Sequence, residues 1–319
     1  MSRHSLLLLL ISFFILVSFS CGDDDDDDNF DTPEEDDDDN TDDDDALDDD
    51  DSMDDDDDTG DDDDTVYPDD FLAEWPQDIE EDRTYDESVQ AGSLREKAEG
   101  LDDWHQAHHQ PVYGGTVDVS FTDDTRTEVE GYSGLNDSCI WSGIYLGGQA
   151  MRYRVTSDQD ALNNVLHTVS ALHGYLKVNG TTGFISRYWG SQGSLPYEDD
   201  AWCDNNERCH RVDQGDYAGD FWIGETSRDQ YTGWFFGMEM AYDALADEDV
   251  RTQIREDILE VLTTLIDDQW RIIDEEGEPS TKAPFIIPAY RLAWLLTGYH
   301  VTGDEEIAEE LQSWLLDEK

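Results

Sequence analysis

Asp137-Ser-Cys-Ile-Trp-Ser-Gly-Ile-Tyr-Leu-Gly-Gly-Gln-Ala-Met-Arg-Tyr-Arg-Val-Thr156 is the stretch on which the fold is decided. Ile140, Ile144, Gly147, Met151 and Val155 recur at steps of three and four, the period of one face of a helix. Asp137 stands where an N-cap belongs, and the helix is predicted to end near Thr156. After the turn Thr156-Ser-Asp158, a second stripe of Leu162, Val165, Val169, Leu172 and Leu176 runs back, which makes the pair an αα-hairpin.

The same plan recurs downstream. Tyr231, Phe235, Met238, Tyr242 and Leu245 form a stripe, Ala246-Asp-Glu-Asp249 turns, and Ile254, Ile258, Val261 and Leu265 form the returning helix. Near the end, Tyr299-His-Val-Thr-Gly-Asp304 repeats the chemistry of Tyr153-Arg-Val-Thr-Ser-Asp158, and acidic residues open the helix that follows each. Upstream, residues 65–85 read as a Pro-containing entry and Asp86 to His109 as a polar helix, while the alternation in Thr116–Phe121 allows one strand. Three helical hairpins with little strand predict an all-α array in residues 65–319, a length that suits one domain.

The start of the chain reads differently. Arg3 and His4 precede an apolar run from Leu6 to Val17, too short to span a bilayer and laid out like a secretory signal. Ser18-Phe-Ser-Cys21-Gly22 resembles the lipobox of bacterial lipoproteins, with Ser18 where that family favours Leu. The resemblance implies that residues 1–21 are a signal ending in a lipidated Cys21, a lipid anchor to a membrane. Gly22 in place of an aspartate implies the outer membrane or cell surface of a bacterial envelope.

Residues 22–64 follow as a linker in which Asp23–Asp64 holds 28 Asp and 2 Glu in 42 residues. Such a segment cannot bury a core, repels itself and is expected to act as a disordered, solvated spacer. Calcium can associate nonspecifically with its carboxylates, but the spaced ligands of a dedicated site are absent. Removing the 30 acids and one base of residues 1–64 leaves 52 acids against 17 bases, a formal charge of −35 on the remaining 255 residues. That charge excludes nucleic acid as a partner and suits an exposed, high-salt surface.

Cys203 and Cys209 lie in one loop and suit a small disulfide in an oxidising compartment; zinc with His210 as a third ligand is the rival reading. Cys139 reads as a buried thiol. No P-loop, dinucleotide glycine fingerprint, GxSxG elbow or HExxH is present, so no cofactor or metal is expected.

Three stretches carry a family resemblance: Asn136-Asp-Ser-Cys-Ile-Trp-Ser-Gly-Ile-Tyr145, Arg152-Tyr-Arg-Val-Thr-Ser-Asp158 and Gly224-Glu-Thr-Ser-Arg-Asp-Gln-Tyr-Thr-Gly-Trp234. With these, residues 130–319 resemble the (α/α) toroids of six-hairpin glycosidase-like proteins, among them unsaturated glucuronyl hydrolases and polysaccharide lyases. The resemblance implies a toroid-like array, open or incomplete because only three hairpins are legible. It also implies a polysaccharide or oligosaccharide substrate lying over the starts of the inner helices, the first of each hairpin.

On that plan Asp137 and Asp229 occupy equivalent helix starts, with Glu225 on the approach. Two carboxylates across a cleft are what glycosidic cleavage needs, one as proton donor and one as base or nucleophile. The competing reading makes each aspartate an ordinary helix cap. Trp141, Tyr145, Tyr188, Trp222, Tyr231 and Trp234 are candidate sugar-stacking rings, the alternative being core packing. Arg187 is the candidate contact to a substrate carboxylate or hydroxyl, and His210 a candidate polar contact or acid/base group. The function expected is therefore that of a surface-anchored carbohydrate-active hydrolase or lyase. A noncatalytic glycan-binding or protein-interaction lipoprotein is the alternative.

Overall fold

Three aspartates start three of the helices. Asp158 accepts the N–H of Asp160, Asp247 those of Asp249 and Val250, and Asp304 those of Glu306 and Ile307. Each cap satisfies donors that a helix start leaves open, at about 1 kcal/mol apiece. The computed structural model describes residues 94–111, 113–193, 203, 206–280 and 285–316. The signal stretch, Cys21, the linker and the 65–85 entry lie outside the described residues. The unit that carries the helices takes in Arg95–Lys319; the other, Cys21–Leu94, is almost wholly outside the described residues.

Seven helices are found among the described residues. They are α1 Leu94–His108, α2 Ser138–Thr156, α3 Gln159–Lys177, α4 Arg228–Ala244, α5 Glu248–Asp267, α6 Pro288–Thr302 and α7 Glu305–Leu316. The three hairpins are α2–α3, α4–α5 and α6–α7. No helix among the described residues is long and apolar enough to cross a membrane.

The expectation of an all-α, toroid-like array is corrected by two small antiparallel sheets. Strands β1 (Asp118–Phe121) and β2 (Val129–Ser133) pair with each other. Strands β3 (Tyr188–Ser191), β4 (Cys209–Arg211) and β5 (Asp220–Ile223) form a second sheet in the order β3-β5-β4. This second sheet lies between the first two hairpins, where the sequence predicts no strand. The reason is burial: β5, Asp-Phe-Trp-Ile, is buried at every position, so the period-two alternation that marks a half-exposed strand is missing.

A second correction concerns which face of α2 is inside. Ile144, Met151 and Val155 of the apolar stripe are exposed, Val155 at 85%. Gly147 of the stripe is buried, but beside it the buried face is Cys139, Ser142, Gly143, Leu146 and Ala150. Close approach decides the matter, because α2 meets α4 glycine on glycine. A Cβ at Gly143 would lie 1.9 Å from the Gly233 carbonyl oxygen, and one at Gly237 would lie 2.6 Å from that of Gly143. Larger apolar side chains cannot enter so narrow a gap and are turned outward.

Helix α4 also packs on α6, and here the aromatic core lies: Trp294 stacks with Phe235 at 5.1 Å and with Tyr231 at 5.9 Å between centroids. Within this contact Glu239 of α4 is 4% exposed. Its Oε2 accepts from Thr297 Oγ1 at 2.7 Å, and its Oε1 has no partner among the described residues. Burial pushes its carboxyl up to about 7, with Thr297 and His300 pulling down and Asp243 pushing up. A carboxyl raised on folding holds its proton in the native state after the unfolded chain has released it. Stability therefore falls as pH rises from the ordinary value of 4.5 to about 7, then levels off. Glu239→Gln is expected to raise stability above pH ~7 and flatten this slope, as read by denaturant unfolding on either side of the window. A variant no more stable than the parent at the higher pH would contradict it.

Candidate functional site

Because α2 and α4 cross so closely, their N-termini lie side by side, and Asp137 and Asp229 come with them. Asp137 closes the short 3-10 turn Leu135–Asp137 that leads into α2; Asp229 sits in the first turn of α4. Asp137 makes no side-chain cap bond to its own helix, and the N-cap position of α4 belongs to Ser227. Both carboxylates instead turn to one donor. Gln230 Nε2 donates to Asp137 Oδ1 at 3.0 Å and to Asp229 Oδ2 at 3.1 Å. Oxygens that share one nitrogen at these distances are at most about 6 Å apart, close enough for the two carboxyl groups to reach one glycosidic bond. The other end of the same side chain accepts the Ile140 N–H at 3.1 Å, so Gln230 ties α4 to α2.

Arg187 braces this arrangement from below. Arg187 is 4% exposed, and its guanidinium donates to the carbonyls of Glu225 (2.8 Å) and Asn136 (2.6 Å) and to Ser227 Oγ (2.9 Å). It also stands 3.6 Å from Asp137 Oδ1. Ser227 Oγ passes the chain on by donating to Asp229 Oδ1. Arg187 is thus a positioning residue that joins the approach to β3, both helix starts and the 225–227 turn, with no reach outward for substrate. Glu225 takes part through its carbonyl, held by a left-handed backbone (φ 51), while its carboxylate stands 3.7 Å from Arg208.

Asp137 is 46% exposed at its side chain. One turn along α2, Trp141 is 52% exposed, and with Tyr145, His105, His109 and Ile144 it lines a cleft of about 380 Å³. Tyr145 stacks on His105 at 4.2 Å and donates to Asp102 at 3.1 Å; burial first, and Asp102 next, raise its phenol. Asp102 of α1 also accepts from Gln149 (2.7 Å) and Arg152, which pins α1 to α2. His105 is pushed down to about 4 by burial and then by His109, so it is neutral at pH 7.

The other candidate rings separate into two groups. Tyr188, Tyr231 and Trp234 are core residues. Trp234 Nε1 donates to the Leu172 carbonyl, and the Tyr231 hydroxyl donates to that of Gly183. Trp222 is also buried, but His210 stacks on it at 4.1 Å and 18°. His210 Nε2 pairs with Glu275 Oε1 at 2.9 Å. Burial raises the Glu275 carboxyl, but hydrogen bonds from His210 and its own backbone N–H outweigh this and leave it below the ordinary value. Cys203 and Cys209 are disulfide-bonded with their Cα atoms 5.2 Å apart, which removes both sulfurs from the zinc reading. Among the described residues no group of three or more His, Cys, Asp or Glu is arranged to hold a metal ion. Cys139 is buried, its thiol pushed well up by burial, and it points at the Gln230 carbonyl.

Gln230, Ser227 and Glu275 are the site residues that sequence reasoning missed. A signal for the first two exists: Ser227-Arg-Asp-Gln230 has the form of a capping box. In the structure that pairing is diverted, the serine to Asp229 and the glutamine to Asp137. No known protein family matches the chain, and no curated protein sequence does.

Proposed function

We propose that this protein is a glycoside hydrolase whose reacting pair is Asp137 and Asp229. The observation that carries the reading is the single Gln230 nitrogen held by both carboxylates at the joined starts of α2 and α4. Asp229, fixed by Ser227 and Gln230, serves as nucleophile at the anomeric carbon. Asp137, whose side chain is 46% exposed, protonates the leaving oxygen and then activates the water that releases the sugar. A separation of at most about 6 Å leaves little room for a water between the carboxylates, which favours retention of anomeric configuration. Trp141, one turn from Asp137, supplies an exposed ring face for the substrate.

The test is incubation of the full chain with a panel of polysaccharides, scoring new reducing ends for hydrolysis and unsaturated ends for elimination. Reducing ends with retained configuration are expected. Unsaturated ends would make the protein a lyase, and binding without release would make it a glycan-binding protein.

The same reading places the domain outside the cell on a lipid attached to Cys21, with the aspartate-rich linker as spacer; the apolar run, the cysteine and the charge pattern support it. Palmitate-analogue labelling in cells is expected for the parent chain and not for Cys21→Ala. Equal labelling of both would remove the anchor.

A further inference from the structure

A second cleft, of about 560 Å³, opens beside β4 and the end of α3, lined by Lys177, His210, Asp216, Tyr217, Trp222 and Glu275. Its size is that of a small-ligand pocket. At its wall stands the His210–Glu275 pair, ring flat against Trp222. With Nε2 turned to Glu275, the imidazole has Nδ1 as its second hydrogen-bonding atom. The Glu275 Oε2 is buried and without a hydrogen-bond partner among the described residues. Gly224 keeps the pair in place by lacking a side chain, since a Cβ there would lie 3.0 Å from His210 Nε2. A fixed imidazole, a phenol and carboxylates around a concave wall are groups that exchange hydrogen bonds with hydroxyls.

The charges restrict what such a ligand can be. Lys177 is held by Glu260 at 2.5 Å and Asp257 at 3.6 Å, and Arg211 on the same wall is also engaged. Asp213, Asp216 and Glu275 face the same space, and Arg187, the expected reader of a substrate carboxylate, is buried beneath the aspartate pair. Residues 65–319 carry a formal charge of −35 besides. An anionic sugar entering this cleft meets repulsion, and Lys177 and Arg211, the Lys and Arg residues among the described lining, are already engaged by other groups.

We infer that the His210–Glu275 cleft is a saccharide-binding site for an uncharged sugar ring, so that the glycan handled by this protein is neutral and not uronic. The inference rests on the carbohydrate reading above but not on catalysis. Neutrality also removes lyase chemistry, because elimination needs the carboxylate that acidifies the neighbouring C–H of a uronic acid.

The experiment is calorimetric titration of the full chain with four uncharged hexasaccharides (cello-, manno-, xylo- and N-acetylated chito-) and with oligogalacturonate. It is run on the parent and on the Asp137→Asn/Asp229→Asn form, which removes turnover from the readout. At least one uncharged hexasaccharide is expected to bind both forms, with oligogalacturonate about tenfold weaker or worse. His210→Ala, the milder His210→Gln and Tyr217→Ala are each expected to weaken binding by about tenfold, with unfolding midpoints checked alongside. Binding of none of the four, equal binding of oligogalacturonate, or affinity unchanged in all three variants overturns the inference. Binding without any hydrolysis by the parent removes the proposed enzyme and leaves this site standing. Hydrolysis with no effect at His210 or Tyr217 does the reverse.

Discussion

Asparagine at Asp229 is expected to cut the release of reducing ends by about a thousandfold while leaving the fold intact. The amide is the same size as the carboxylate, and its oxygen still accepts from Ser227 or Gln230, so the bonds that order the helix start survive in part. What is lost is the charge that attacks the anomeric carbon. Asparagine at Asp137 removes a proton donor instead, so its effect depends on the leaving group. Measured as kcat/KM, at substrate well below KM, the loss is expected to be about hundredfold or more on a natural glycan and far smaller on an aryl glycoside, whose phenolate leaves without help; kcat stays low on both, because the water step still lacks its base. Initial rates on both substrates, with thermal unfolding as a control, decide this. If both variants lose activity equally on both substrates, the division of roles fails.

Alanine at Gly143 is expected to destabilise the protein by about 3 kcal/mol or more. Its methyl group would lie 1.9 Å from a backbone oxygen of the facing helix, so α2 and α4 must move apart and the core between them must open. Helix propensity works in the opposite direction, because alanine is better than glycine inside a helix by about 1 kcal/mol. Gly148 supplies the comparison. It lies on the same helix with no atom within 4 Å of its would-be Cβ, and its alanine variant is expected to gain up to about that amount. Denaturant unfolding of the two variants is expected to move the midpoint in opposite directions. Shifts of the same sign would mean that the glycine contact is not what sets the helix spacing. Because the Gln230 bridge depends on that spacing, Gly143→Ala is also expected to impair any activity by more than its loss of stability explains.

The hairpins were legible because their cause is local. Apolar residues at helical spacing and an aspartate after each turn are written in consecutive residues, and Asp158, Asp247 and Asp304 cap as their positions suggest. The second sheet was not legible, since strand β5 is buried on both faces and carries no alternation. Its aromatic residues, and Tyr188 in β3, invite a sugar-stacking reading that burial in the sheet explains more simply. The inner face of α2 was misjudged for a related reason: hydrophobic periodicity finds the oiliest face, whereas Gly143 is inside because the backbone of α4 lies against it.

At the site, the juxtaposition of Asp137 and Asp229 was suggested by their matching positions at two helix starts. The groups that hold them were hidden. Gln230 and Arg187 act across about 40 to 90 residues of sequence, through contacts that exist only once the helices have packed. Arg187 carries a further lesson. An arginine near a suspected site is an attractive ligand for substrate, but backbone carbonyls and a serine hydroxyl already take this one, and its function is to set the geometry of the carboxylates.

The central claim is that Asp137 and Asp229 act as one unit on one glycosidic bond. A double-mutant cycle in the rate of reducing-end release, comparing the parent, Asp137→Asn, Asp229→Asn and the double variant, tests this most directly. Groups that serve one reaction are strongly non-additive, so the double variant is expected to be no slower than the slower single variant, within about threefold. A double variant slowed by the product of the two separate losses, or single variants as active as the parent, would contradict the claim.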